Sequence, residues 1–110
     1  MDERYDLHKR LQENASQANV SFRSFKNMHH VAYTTFYKFL KNPEIARDKT
    51  ITSVRLVCDF LEAAMAAGYL PLPKSKKKDR PEEIDRLYTT WWNNGKSFVG
   101  VGGRESEHEV

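Results

Sequence analysis

With 110 residues, 39% of them hydrophobic and 30% charged, the chain has room for one small domain and a tail, and enough apolar side chains to exclude wholesale disorder. Its formal charge of +3 is concentrated: residues 21–50 hold six cations against two acids, and residues 71–81 hold five against one. Clusters of that kind attract polyanions such as nucleic acid. The single cysteine, Cys58, excludes an intramolecular disulfide and reads as a small buried residue. No signal peptide, long apolar run or lipidation motif is present, so no membrane association is expected and the bacterial cytosol, or the host cytosol for a phage protein, is the expected location.

Asp2 is placed to cap a first helix over 3–17, where Leu7, Leu11 and Ala15 form a narrow apolar stripe edged by Tyr5 and Ala18. Asn19-Val20-Ser21 connects it to a second helical run. Ser21 is the expected N-cap of that run, and Phe22, Phe25 and either Met28 or His29 share its inner face. The pattern breaks at His29-His30-Val31-Ala32 and resumes over 33–41. There Thr35, Phe36, Phe39 and Leu40 share one face, while Tyr33, Thr34, Tyr37, Lys38 and Lys41 fall on the other. Two short helices meeting at a corner, the second with a polar, basic and aromatic outer face, are the layout of a helix-turn-helix that sets its second helix in a major groove.

Asn42-Pro43 stops that helix, because the residue before a proline is pushed out of helical geometry. Residues 44–49 form a polar loop, and Thr50 or Thr52 is placed to cap a helix over 51–67. Ile51, Val54, Val57, Cys58 and Leu61 make one face of this helix. Leu56, Phe60, Ala63, Ala64 and Ala67 make a second apolar strip, which requires a second cover: either the first helix or another subunit. Gly68 ends the helix, residues 69–80 read as an extended basic linker, and Pro81 with Glu82 and Glu83 starts another helix. Ile84, Leu87, Tyr88 and Trp91 form its stripe, Asn93-Asn94-Gly95 ends it, and Lys96–Gly103 is a candidate short extended segment. The organisation expected is thus a DNA-binding domain over 1–68, a linker over 69–80, a helix and extended segment over 81–103, and a disordered acidic tail over 104–110.

Other constellations carry less. Adjacent histidines on a helix point about 100° apart, so His29-His30 does not make a metal pair, and no metal or cofactor is expected. No Ser/His/Asp order, glycine-rich phosphate loop or paired acids in a shaped site can be argued, so an enzyme is not expected. Trp91 and Trp92 cannot both face inward from one helix: either one leans on the core and the other is an exposed interface anchor, or the tail folds back and covers both.

The stretch aligned on its corner resembles the Cro/C1-type, lambda-repressor-like helix-turn-helix family. Ser21 matches the family's cap, Phe25 its inner Leu, and Val31-Ala32 the Val-Ser of the corner. Thr34-Thr35-Phe36-Tyr37-Lys38-Phe39-Leu40 matches the recognition helix, and Thr50-Ile51-Thr52-Ser53-Val54-Arg55-Leu56-Val57-Cys58-Asp59-Phe60-Leu61 matches the helix that follows. The resemblance covers about residues 5–65. Two positions depart from it: Lys26 stands where the family has a small Ala, and His30 where it has a left-handed Gly.

The resemblance implies an all-α fold, a four-helix lambda-repressor-like helix-turn-helix domain with a C-terminal helical extension. It implies a sequence-specific DNA-binding transcriptional regulator of phage or bacterial origin, acting by operator occupancy on double-stranded DNA. Tyr33, Thr34, Tyr37, Lys38 and Lys41 would face base edges, and Ser21, Arg23, Asn42, Arg47 and Lys49 would hold phosphates. A small groove-reading domain gains specificity by pairing half-sites, so a homodimer is expected, with Leu56, Phe60, Tyr88, Trp91 and Trp92 as its interface. Two rivals stand beside this reading. One is a protein-interaction module on the same scaffold, such as a phage factor binding a host protein or an antitoxin. The other is a nucleic-acid accessory driven by charge without sequence preference.

Overall fold

The computed structural model describes residues 3–28, 31, 33–73 and 80–101. Among them run four α-helices, α1 (Glu3–Ala18), α2 (Tyr33–Lys41), α3 (Asp48–Ala66) and α4 (Pro81–Asn93). Short 3-10 turns lie at Phe22–Phe25 and Pro43–Ile45, and no strand occurs among the described residues. The all-α class is therefore observed.

α3 is the central rod. α1 packs along it and buries Leu7, Leu11, Ala15 and Ala18, the stripe expected from spacing. A polar clamp fixes the same pair: Arg10 donates from Nε to Glu62 (2.7 Å), and from Nη2 to Glu62 (2.6 Å) and Asp59 (2.9 Å). The Asn14 amide adds a 2.7 Å bond to Glu62. The Arg10 hydrogen bond, with that of Asn14, holds the Glu62 carboxyl below the usual carboxylate range despite partial burial. Cys58 lies beneath this clamp, where desolvation pushes its thiol up to about 12.

α4 packs on Phe60 of the second apolar strip of α3. Phe60 meets Tyr88 edge-on at 5.5 Å between centroids and Trp91 at 5.7 Å, and all three are buried. Removing an aromatic side chain of this size from water contributes about 1.5–3 kcal/mol. Within the chain α4 buries Phe60 of that strip, while Leu56 and Ala63 stay half-buried and Ala67 exposed. This corrects the expectation that Phe60, Tyr88 and Trp91 form a dimer interface: intramolecular packing has already consumed them.

α1 and α3 both end in a left-handed residue. Asn19 (φ +58°) follows α1, with Val20 N–H bonded to Ala15 O and Asn19 N–H to Ser16 O. Gly68 (φ +88°) follows α3, with Tyr69 N–H bonded to Ala64 O and Gly68 N–H to Met65 O. Both are Schellman closures, which satisfy carbonyls the last helical turn leaves without partners. The strap after α3 is then pinned to the end of α1: Leu72 N–H donates to Ala18 O (3.0 Å), and the Asn19 amide donates to Leu72 O (2.9 Å). Leu70 and Leu72 are buried, so the first part of the expected linker is packed structure. The basic residues 74–79 lie outside the described residues, as do the acidic tail 104–110, the Asp2 cap, and His29, His30 and Ala32 of the corner.

Three boundaries differ from expectation. The second helical run is a single 3-10 turn, Phe22–Phe25, and Ser21 makes no side-chain capping bond to it. Phe22, Phe25 and Phe36 hold the turn as an aromatic trio with centroids 5.4–6.3 Å apart. Buried Ser24 accepts from Arg80 N–H at 2.9 Å and so ties the turn to the start of α4. α3 begins at Asp48, before the expected Thr caps, and Thr52 instead donates back to Asp48 O at 3.0 Å inside the helix. Residues 96–101 form turns, closed by the Asn94 amide on Ser97 O and Val99 O, where an extended segment was expected.

Candidate nucleic-acid interface

α2 is anchored by Phe36 and Phe39, both buried. At about 100° per residue, the direction opposite these rings falls on Thr34, Lys38 and Lys41, and all three are exposed. Tyr37, exposed, and Tyr33, half-buried, lie on one flank; Thr35 and Asn42, both exposed, lie on the other. Thr35 therefore departs from its expected place on the inner face, and Leu40 is only half-buried. No carboxylate occurs on the helix.

The two flanks differ in kind. On the first, Tyr33 and Tyr37 stack at 6.1 Å with their planes 32° apart, and the Lys41 ammonium sits 5.4 Å above the Tyr37 ring. Ring, ring and cation thus form a continuous row along this flank. On the second flank α2 faces the 43–45 turn and the first turn of α3 across a cleft of about 1020 Å³. Lys38 and Asn42 stand on one wall, Arg47 and Lys49 on the other, and no acidic side chain among the described residues lines it.

The backbone of the cleft is positioned from α1. His8 Nε2 donates to Leu40 O at 2.9 Å, one of the carbonyls that the end of α2 leaves without a helical partner. Arg4 Nε donates to Ala46 O at 2.9 Å, and the Tyr5 hydroxyl bonds Glu44 at 3.4 Å. These three residues hold the last turn of α2 and the 43–47 loop against α1. Spacing does not mark these contacts: a polar residue beside an apolar stripe looks like any solvated position until its distant partner is in place.

Of the ten residues expected at DNA, the structure brings Lys38, Asn42, Arg47 and Lys49 together around the cleft. Tyr33, Thr34, Tyr37 and Lys41 lie on the same helix but face outward or to the other flank. Arg23 is exposed on the 3-10 turn, and half-buried Ser21 has its hydroxyl 3.4 Å from that of Ser24. Of the five residues expected at a subunit interface, Phe60, Tyr88 and Trp91 are internal, while Leu56 and Trp92 keep part of their surface. Trp92 packs on Tyr88 and lies 4.8 Å beneath the Lys96 ammonium.

Among the described residues, no group of three potential metal ligands assembles, and no helix is long and apolar enough to cross a membrane. Compared with family models, curated proteins and solved structures, the chain shows no significant match to any of them.

Proposed function

We propose that this chain is a sequence-specific DNA-binding transcriptional regulator of the lambda-repressor-like helix-turn-helix type, acting in the cytoplasm of a bacterium, or of a host cell if phage-encoded, by occupying an operator. The observation that carries the reading is the outer face of α2: Thr34, Lys38 and Lys41 project away from the Phe36–Phe39 anchor on a helix without a carboxylate. A helix so presented fits a major groove, where Thr meets a thymine methyl and Lys reaches guanine acceptors. Arg47 and Lys49, exposed at the start of α3, stand where the flanking phosphates would run. The Phe22–Phe25 turn takes the part of the first helix of the motif in shortened form.

In this reading a protomer supplies few base contacts, each worth about 1–3 kcal/mol, so two protomers are needed to span half-sites about one DNA turn apart. With Phe60, Tyr88 and Trp91 committed inside the protomer, the dimer would form through the remaining surface, to which Leu56 and Trp92 contribute. The test is a salt titration of the full chain against random and selected duplexes. A steep salt dependence with sequence preference supports the reading, a steep dependence without preference makes the chain a non-specific binder, and absence of binding removes it.

A further inference from the structure

The cleft between α2 and α3 has features that a sugar-phosphate backbone does not use. Ile45 stands at its lip with 68% of its surface exposed, the most exposed large aliphatic among the described residues apart from Val99 in the C-terminal turn. Val31 and Ala46 lie beside it on an apolar floor backed by Phe36 and Phe39. The rim carries Lys38 on one wall and Arg47 and Lys49 on the other. None of these three cations has an ion-pair partner among the described residues, and no carboxylate enters the lining.

We propose that this cleft is a docking site for an acidic, amphipathic segment of a partner protein. Charge complementarity selects the occupant. Three cations on two opposing walls call for several carboxylates spread along a chain, whereas one small anion would meet only one wall. An apolar lip between the walls calls for aliphatic or aromatic anchors, which the sugar-phosphate backbone proposed to run along Arg47 and Lys49 does not carry. The volume, at the upper end for small-molecule sites, suits a short helix laid in a groove with anchors at i and i+3 or i+4. The anchors would pack on Ile45, Val31 and Ala46, and the flanking carboxylates would meet Lys38, Arg47 and Lys49. Since the DNA reading uses the same cations, an occupied cleft would exclude DNA. That consequence rests on the DNA reading; the peptide site does not.

The experiment is a selection on the full chain from a displayed library of random peptides of about 15 residues, the length of a short helix. Enriched peptides are synthesised and titrated by fluorescence anisotropy against the wild type, Ile45→Ser and Arg47→Glu. Both substituted side chains are exposed, and circular dichroism and melting confirm that the variants fold. The expected result is enrichment of peptides with acids flanking apolar residues at helical spacing, and at least a tenfold loss of affinity in each variant. No enrichment, enrichment of uncharged or basic peptides, or acidic peptides indifferent to Ile45→Ser would each overturn the proposal. Duplex DNA titrated separately on the same proteins reports on the DNA reading, so the two can fail independently.

Discussion

The Nε2–H of His8 reaches across from α1 to the carbonyl of Leu40 at 2.9 Å, and the same imidazole ring packs on Phe39 at 5.7 Å between centroids. One side chain of the first helix thus fixes both the backbone end and an inner ring of α2. Because the carbonyl only accepts, the Nε2 position must carry the proton. His8→Ala is expected to cost about 1–2 kcal/mol of stability, from the lost bond and the lost contact. Urea denaturation checks it, and an unchanged midpoint would mean that α2 is held in place without His8.

Phe60 is the residue on which α4 is seated. Phe60→Ala is expected to destabilise the chain by about 3–5 kcal/mol, as large-to-small aromatic changes in a core do. The near-ultraviolet circular dichroism of Trp91, packed on Phe60, should collapse with it. For the same reason a chain ending near Leu72 should be less stable and not simply monomeric, because truncation uncovers Phe60. Retention of full stability in that shortened chain would contradict the intramolecular role of α4.

Glu62 ties stability to acid pH. Its carboxyl is depressed in the folded chain, chiefly by its hydrogen bonds with Arg10, so its contribution is fully present above the ordinary glutamate value of 4.5 and is lost as pH falls through the lower folded value. Glu62→Gln should flatten the acid side of the stability profile while leaving the slope near neutrality unchanged. Urea midpoints between neutrality and strong acid measure this, and identical acid limbs in both proteins would remove the clamp as its cause.

If α2 lies in a groove, Arg47 and Lys49 meet the backbone beside it. Arg47→Ala or Lys49→Ala should lower affinity evenly across sequences and flatten the logarithmic salt slope by about one for each cation removed. Titrations between about 50 and 200 mM salt suffice. A changed base preference with an unchanged slope would place these residues at base edges.

How much of this was legible in the sequence follows from which signals are local. The outer face of α2 could be read because Phe36 and Phe39 fix its orientation at helical spacing. The two-sided burial of α3 was legible for the same reason, but not which element covers its second side, since that depends on where the chain after Gly68 turns back. Spacing does not separate a turn from a helix at Phe22–Phe25, because an i, i+3 pair fits a 3-10 turn as well as an α-helix over so few residues. The start of α3 is not marked by periodicity, because Asp48 and Lys49 are exposed and add nothing to an apolar pattern. The cleft was not legible at all: Lys38, Ile45 and Lys49 are brought around one hollow by the path of the 43–47 loop and by Arg4 and His8, whose partners are backbone carbonyls far along the chain.

The central claim is that α2 reads base sequence, and selection of bound duplexes from a random DNA pool, run in parallel on the wild type and on Lys38→Ala, tests it most directly. The expected result is a defined motif for the wild type. For Lys38→Ala it is the same motif with preference relaxed at one base pair and binding weakened by about 1–3 kcal/mol. A wild-type chain that enriches no motif, or a Lys38→Ala chain with the same motif and affinity, would contradict it.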